Sequence, residues 1–339
     1  MSNEEAWIAS FMTGPCEKGI GVLSDLEALR VREDIRLLPL QRNVRALLED
    51  LPSLGPAEFT TGNACATCTR REEVRTVLPL EGGTTLFGAP DGLRWLDASW
   101  RHSVAVLHRG MDFTDTPPCL LFFGDTGALA HQITLSDPAA WEAFIGLVRR
   151  HRGCWNCLHP QTAPPRVGAA MDCPAWMLRE AWCDAESERD LAARLSRLGL
   201  ERILALRALE GLYTTPVSVQ NLESLLKGLA SSALPVHVQI GNRHCTQVLE
   251  SPLESLALGP REWEIGMAQA TLRLDPSRLD SIWSVVQKRP EGEQHRFECY
   301  DAAGERVLVL SSPHDPCPVV HFGWQRMLGW FEGGAGLTA

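Results

Sequence analysis

The chain has 339 residues, of which 45% are hydrophobic and 22% are charged, and its formal net charge is −10 at pH 7. This length and composition are typical of one large or two ordinary globular domains. Because the balance is acidic and the basic residues are scattered, the sequence argues against a nucleic-acid-binding surface, which must neutralise phosphates.

The N-terminal residues MSNEEAWIASF lack the basic start and the apolar core of a signal peptide. No apolar run approaches the roughly 18 residues that a membrane span requires. We therefore expect a cytoplasmic protein. In that compartment the 11 cysteines are expected to be mostly reduced thiols rather than a disulfide framework.

Two cysteine pairs have the spacing Cys-x-x-Cys: Cys65 with Cys68, and Cys154 with Cys157. Four thiolates from two such pairs can close a tetrahedral zinc site, although a separation of roughly ninety residues greatly exceeds the usual zinc-ribbon interval. Only the fold could bring the pairs together. Three possibilities remain open: a joint metal site of both pairs, a thiol redox or single-pair metal role for Cys154 and Cys157 in CWNCLH, and no special role.

Three segments of the first half recur in the second half. The clearest is a hairpin pattern of two β-rich runs around an Asp and a Gly. The offset is about 170 to 180 residues in each case, which indicates an internal duplication. The matching segments are 66–77 with 238–248, 92–109 with 270–289, and 118–136 with 295–312.

Helical patterns open the second half. Ser187 with Asp190 is typical of a capping box, Gly199 is suited to end that helix, and Ser218 is a suitable N-cap for another. The sequence therefore predicts an α+β fold of two modules, each with a helical cluster and a large antiparallel sheet. The first repeat is assigned to residues 1–155, a Pro/Gly-rich linker to 156–175, and the second repeat to 176–333.

The second half resembles the HemS/ChuS-type family of haemin-degrading and cytoplasmic haem-trafficking proteins. The resemblance rests on REAW (179–182), RLGLER (197–202), PVSVQNLESLL (216–226), VQIGNRHCTQV (238–248) and TLRLDPSRLDSIWSVV…FECYDAAGE (271–305). In the first half, GLRWLDASW and LLFFGDTGALAHQI fit the equivalent places. The resemblance implies two large antiparallel sheets with helical clusters, and haem as the cofactor.

The resemblance also implies roles for single residues. Arg94 takes the place of a distal arginine that reaches over haem, and Arg202 the place of an arginine that contacts a propionate. Arg189 stands where the family has its iron-ligating histidine, and a guanidinium has no free lone pair with which to bind iron. Cys183 is a candidate substitute ligand, because a thiolate can bind ferric haem; its alternative is a small buried hydrophobe.

His244 and Cys245 stand side by side in GNRHC, a turn that leads into a strand in the resembled fold. We interpret both as structural residues. A ligand role and a nucleophile role are the alternatives, but nothing nearby in the sequence supplies the third group that orients a Cys–His pair.

The resemblance predicts a protein of haem utilisation and iron acquisition that acts as a haem carrier or as a haem-degrading factor. If it is an enzyme, it is an oxygen-dependent oxidoreductase. The implied partners are haem or a related tetrapyrrole, an electron donor and haem-uptake proteins. The alternative is a non-haem regulatory or interaction protein on the same scaffold, linked to a metal or to thiol redox chemistry.

Overall fold

The computed structural model describes residues 25–41, 44–73, 77–80, 84–87, 93–96, 102–108, 117–124, 126–155, 173–289, 292–313 and 316–334. The chain divides into two units. Unit 1 consists of Met1–Pro164, Ile240–Leu249 and Gln269–Leu274. Unit 2 consists of Pro165–Gln239, Glu250–Ala268 and Asp275–Ala339.

The fold combines helices with two antiparallel sheets of nine strands, which confirms the predicted α+β class. The first half holds β1 (Ile35–Pro39), β2 (Pro56–Gly62), β3 (Ala66–Glu73), β4 (Val77–Leu80), β5 (Thr84–Phe87), β6 (Leu93–Leu96), β7 (His102–His108), β8 (Cys119–Phe123) and β9 (Leu129–Leu135). The second half holds β10 (Thr214–Val217), β11 (Val236–Gly241), β12 (Cys245–Ser251), β13 (Leu253–Leu258), β14 (Trp263–Met267), β15 (Ala270–Leu274), β16 (Leu279–Arg289), β17 (Gly292–Asp301) and β18 (Arg306–Ser311).

The helices are α1 (Asp25–Arg30), α2 (Val44–Glu49), α3 (Trp141–Arg150), α4 (Ala175–Cys183), α5 (Glu188–Arg197), α6 (Arg202–Ala208), α7 (Val219–Ser232) and α8 (Pro318–Gly334). Among the described helices, none combines the length and the apolar character that a membrane-spanning helix requires.

The predicted helix caps are confirmed. The Ser187 side chain accepts a hydrogen bond of 3.0 Å from the backbone nitrogen of Asp190 at the start of α5. Ser218 accepts one of 3.1 Å from Asn221 at the start of α7. Gly199 follows α5 at φ 66°, a left-handed conformation that a residue without Cβ adopts at little cost. These residues mark the start of α5, the end of α5 and the start of α7.

In unit 1, helices cover both faces of the sheet. Leu120 and Phe122 of β8 belong to a core with Leu147 of α3. Leu121 and Phe123 of the same strand belong to a second core, with residues of α1. Because successive side chains of a strand point to opposite faces, both faces of β8 must be apolar. This requirement explains the uninterrupted hydrophobic run CLLFF.

In unit 2, helices α4, α5 and α6 pack on one face of the sheet. Trp182 of α4 and Leu191 of α5 lie in one core with Trp283 and Val285 of β16. Tyr300 of β17 belongs to the same core. By the alternation of a strand, the even-numbered residues of β17 therefore face these helices.

The strand order supports the internal duplication. In unit 1 the order is β1-β7-β8-β9-β2-β3, and in unit 2 it is β10-β16-β17-β18-β11. Counted within its own half, each run begins with the first, seventh, eighth, ninth and second strand in that order. The hairpin registers also correspond: Cys119 with Thr134 and Phe123 with Leu129 in β8–β9, and Arg296 with Ser311 and Tyr300 with Arg306 in β17–β18.

Strand β15 and most of β12, which belong to the second half of the chain, lie in unit 1. There β15 pairs antiparallel with β3, and β12 pairs antiparallel with β6. Arg94 and Arg273, which the repeat aligns, lie on β6 and β15, the sixth strand of each half. The repeat boundaries at residues 155 and 176 stay a prediction, because residues 156–172 of the predicted linker lie outside the described part of the chain.

Candidate functional site

Five charged side chains meet on the helix-covered face of the unit 2 sheet. We call this group the arginine–glutamate cluster. Its members come from the starts of α5 and α6 and from the hairpin β17–β18, which packing brings together although they are distant in sequence. They are Glu188, Arg202, Arg296, Glu298 and Arg306.

Arg202 and Glu298 form the centre of the cluster. The Arg202 Nε donates to Glu298 Oε2 at 2.7 Å and its Nη2 donates to Oε1 at 2.5 Å, which is a bidentate ion pair. The Tyr300 hydroxyl also donates to Glu298, at 2.7 Å. The guanidinium lies 5.4 Å from the centre of the Trp182 ring. The Glu298 side chain is fully buried, so these contacts replace its hydration.

Glu188 is the second carboxylate, at the first position of α5. It lies 3.1 Å from Arg202, 2.5 Å from Arg296 and 2.6 Å from Arg306. Arg296 also donates to Gln287 of β16, while its buried Nε has no hydrogen-bond partner. Glu188 is 32% exposed and Arg306 is 30% exposed, so these two residues form the open side of the cluster.

The cluster stays ionised over a wide pH range. Burial disfavours the charged form of Glu298, but Arg202 and Arg306 outweigh burial and hold the pKa of Glu298 at about 2. For Glu188 too, burial is outweighed by Arg202, Arg296 and Arg306, and its pKa lies well below the ordinary value. Burial and the Glu298 charge raise the pKa of Tyr300, which keeps its proton.

The charges of the cluster do not balance. Among the five described members, three guanidiniums face two carboxylates, so the cluster itself carries one positive charge in excess when both carboxylates are ionised. A buried charge without a counter-charge is costly. The open side at Glu188 and Arg306 is therefore suited to a ligand that carries a carboxylate or another anionic group.

The structure places the residues of the predicted haem contacts as follows. Arg202 is the first residue of α6 and a member of the cluster. Arg94 lies on β6, where its backbone pairs with Thr246, and its side chain lies outside the described part of the structure. Arg189 is the second residue of α5, next to Glu188, and its side chain is exposed. Their contacts with a ligand stay predictions.

Cys183, the predicted substitute ligand, is the last residue of α4 and is partly exposed. Its thiol donates to the Tyr213 hydroxyl at 3.1 Å. That hydrogen bond, followed by burial, raises the pKa of Tyr213. The sequence pattern does not indicate this partner, because Tyr213 follows two further helices before the chain returns to α4.

Three of the four cysteines in the two pairs lie in the described part of the chain, namely Cys65, Cys68 and Cys154. Cys65 and Cys68 are buried, and burial raises the pKa of Cys68 to about 12, so its thiol stays protonated. Cys154 is exposed, whereas Cys157 lies outside the described residues. Within the described residues, no three side chains of His, Cys, Asp or Glu are grouped to hold a metal ion.

The turn that contains His244 and Cys245 is held by hydrogen bonds to a second turn of unit 1. The Asn242 side chain accepts hydrogen bonds from both of their backbone nitrogens. Asn63, at the matching place of the first half, does the same for its own turn. The amides of Asn242 and Asn63 then donate to the carbonyls of Gly62 and Gly241, each at 2.8 Å. These reciprocal bonds support the structural interpretation of GNRHC.

The His244 ring occupies the space beside Gly124. A Cβ on Gly124 would lie 2.2 Å from the His244 Nε2. Only a glycine therefore permits the ring to pack here. Burial also raises the pKa of Cys245 to about 12, which opposes a nucleophile role.

Four cluster members were not recognised in the sequence: Glu188, Arg296, Glu298 and Arg306. The sequence contains one relevant pattern, because Arg296 and Glu298 alternate with Phe297 and Cys299 along β17. Alternating charges on a strand are usually read as a solvent face. Here α5 and α6 cover that face, a fact that depends on tertiary packing.

A family model described as "Haemin-degrading HemS.ChuX domain" matches residues 199–318. This segment contains every member of the cluster except Glu188. The comparison with curated proteins finds no match.

Among solved structures, the chain is similar to holo-PhuS, a haem-binding protein from Pseudomonas aeruginosa. The TM-score is 0.78 at 25% identity, over 87% of this chain and 86% of that chain. Apo-PhuS gives a TM-score of 0.76 at 26% identity with the same coverage. ChuS, a haem oxygenase from E. coli, gives 0.76 at 18% identity, over 97% of this chain and 96% of that chain, and this likeness shows the fold alone.

Proposed function

Because the chain belongs to the HemS/ChuS-type family, we propose that it binds haem or a related tetrapyrrole and serves haem utilisation as a carrier or a haem-degrading factor. The observation that carries this proposal is the match of residues 199–318 to the haemin-degrading domain. The likeness to holo-PhuS, a haem-binding protein, over 87% of the chain supports it.

The residues present fit the carboxylates of haem better than its iron. Haem carries two propionates, and the arginine–glutamate cluster offers an excess positive charge on its open side. We assign a propionate contact to Arg202 and a contact over the haem face to Arg94. Arg189 supplies no lone pair at the position where the family has its ligating histidine.

Of the two roles, we favour carriage. When bound, haem supplies the redox chemistry of a degrading factor, and the protein supplies binding, orientation and a polar environment. Without an imidazole at residue 189, the usual proximal bond is missing, and efficient turnover depends on such a ligand. Retained anion contacts are sufficient to hold and release haem.

Two further assignments accompany this proposal. We place the protein in the cytoplasm, with haem-uptake proteins as its source of haem and, for a degrading role, an electron donor as a partner. We also assign residues 1–155 and 176–333 to two repeats joined by the linker 156–175. Nothing in the described cysteines favours the metal or thiol-redox alternative.

The test is a titration of the full-length protein with haemin, followed by absorbance in the Soret region, with iron-free protoporphyrin IX as a parallel ligand. We expect saturable binding of both, since the propionates are common to them. A reductant is then added in air. A stable Soret band indicates a carrier, and its loss with release of iron indicates a degrading factor. If neither ligand binds, the proposal is overturned.

A further inference from the structure

Glu188 binds three guanidiniums of the arginine–glutamate cluster at once. Its Oε2 accepts a hydrogen bond of 2.5 Å from Arg296 Nη1, and its Oε1 accepts one of 2.6 Å from Arg306 Nη1. The same Oε1 lies 3.1 Å from Arg202 Nη1. A glutamate side chain and a propionate end in the same anionic group. Glu188 therefore occupies, from within the chain, a place on these arginines that is suited to a carboxylate of a ligand.

The guanidiniums of the cluster carry more N–H donors than the cluster has acceptors. Within the described residues, Arg306 meets Glu188 and Glu298 through Nη1 alone, so its Nε and Nη2 are available on a side chain that is 30% exposed. The Arg296 side chain is only 7% exposed, yet its Nε has no hydrogen-bond partner in the part of the chain that the structure describes. An unpaired donor in a buried charged group is costly. Both observations indicate that the cluster lacks an anionic acceptor.

The charge of the cluster indicates how many anionic groups it can accept. Its three guanidiniums and two ionised carboxylates leave one positive charge in excess. One further carboxylate neutralises this charge, whereas a second one would leave a negative charge in excess among buried side chains, which is costly. The Nε and Nη2 of Arg306 form the fork that binds a single carboxylate through two hydrogen bonds.

We propose that Glu188 is a specificity-determining residue that limits the cluster to one carboxylate of the ligand, and that Arg306 binds this carboxylate. The inference rests on the proposed function and adds the number of propionates that enter the cluster. One propionate of haem binds beside Glu188, and the other stays outside the cluster. A tetrapyrrole with a single carboxylate meets the same requirement, whereas a tetrapyrrole without carboxylates does not.

The number of carboxylates is tested first on the unaltered full-length protein. The ligands are iron-free protoporphyrin IX, its monoester and its diester with a short glycol alcohol, and porphyrin fluorescence reports binding. We expect the free acid and the monoester to bind within about twofold of each other, and the diester to bind at least tenfold more weakly. A monoester that binds tenfold more weakly than the free acid overturns the inference, and so does a diester that binds equally well.

The variant Glu188→Gln tests the residue to which the limit is assigned. It leaves three guanidiniums against one carboxylate, so a second carboxylate of the ligand can enter. We expect this variant to bind the free acid at least fivefold more tightly than the monoester. Asp190→Asn is the matched control, because Asp190 lies on the same helix and pairs with Arg194 instead of the cluster. In the control the two ligands should stay within about twofold of each other.

Two results separate this inference from the proposed function. Weaker binding of the free acid to Glu188→Gln than to the unaltered protein would show that Glu188 only holds the arginines in position, and it would overturn the inference alone. If none of the three ligands binds to the unaltered protein, the proposed function is overturned as well. Urea denaturation checks that both variants fold, and the ligand series on the unaltered protein decides the inference if Glu188→Gln does not.

Discussion

Strands β8 and β17 occupy equivalent places in the two halves but carry opposite chemistry. Both lead into hairpin turns with a glycine at positive φ, Gly127 at 76° and Gly304 at 73°. The helix-facing residues Cys119, Leu121 and Phe123 of β8 correspond in register to Arg296, Glu298 and Tyr300 of β17. The first set lies in an apolar core, and the second set lies in or beside the arginine–glutamate cluster.

This difference indicates where function lies. The β8 side chains show that the scaffold accepts an apolar face at these positions. Replacing a buried ion pair by apolar residues of similar volume is often neutral or stabilising by about 1–4 kcal/mol. The charged residues of β17 are therefore not explained by stability alone. Binding of an anionic ligand to unit 2 would explain why β17 carries charges where β8 is apolar.

The largest expected effect on stability comes from removing one carboxylate of the arginine–glutamate cluster. Glu298→Ala leaves Arg202 buried without its bidentate partner and is expected to lower the free energy of unfolding by about 3–5 kcal/mol. Urea denaturation measures the change. Glu293→Ala is the control, because Glu293 lies on the same strand and is exposed. A loss below about 1 kcal/mol, typical of surface ion pairs, would contradict the burial of this pair.

The equivalent change in β8 is expected to affect stability alone. Leu121→Ala removes a side chain that is 1% exposed, and the resulting cavity is expected to cost about 2–5 kcal/mol. Haemin affinity of the folded variant should equal that of the unaltered protein. Urea denaturation and a haemin titration check both statements. A tenfold loss of affinity in this variant would remove the contrast between the two strands.

Lowering the pH should weaken the contribution of His131 in unit 1 and that of Glu298 in unit 2 over different pH ranges. Burial lowers the pKa of His131 to about 3, so between pH 6.5 and 3 the unfolded chain binds the extra proton. Stability supplied by His131 is therefore lost as pH falls below 6.5, by up to about 1.4 kcal/mol per pH unit. Glu298, with a pKa of about 2, contributes stability that is lost only as pH falls below its ordinary value of 4.5.

Urea denaturation at pH 5.0, 6.0 and 7.0 tests the pH dependence that is assigned to His131. His131→Leu introduces the residue that stands at the equivalent position of β18, Leu308. The variant should show a smaller dependence of unfolding free energy on pH between 5 and 6.5. An unchanged dependence would show that His131 is not the group that titrates.

A smaller effect is expected from restoring an imidazole to the start of α5. Arg189→His should tighten haemin binding about tenfold and give a spectrum of histidine ligation, because it supplies a lone pair and removes a fixed positive charge. The helix tolerates the change, since the two residues differ by a few tenths of a kcal/mol in propensity. Arg197→His, on the same helix and also exposed, is the control. Equal spectra of both variants would contradict the proposed position of the iron.

The sequence was sufficient for features that depend on local patterns. The α+β class and the caps at Ser187 and Ser218 follow from neighbouring residues. The partners of Arg202 could not be predicted, because Glu298 lies 96 residues away and meets it only through the packing of α6 on β17. The contact between Cys183 and Tyr213 could not be predicted either, because it too depends on tertiary packing. Arg202 was identified by resemblance, but its ion pairs were not.

The role of the excess positive charge is tested most directly by replacing one arginine of the cluster with the residue at the equivalent position of unit 1. Arg306 corresponds to Leu129, and Arg306→Leu leaves two guanidiniums against two carboxylates. A haemin titration should then show at least tenfold weaker binding, and urea denaturation of the same variant checks that it remains folded. Unchanged haemin affinity in this variant would contradict the claim that the excess positive charge of unit 2 holds the ligand.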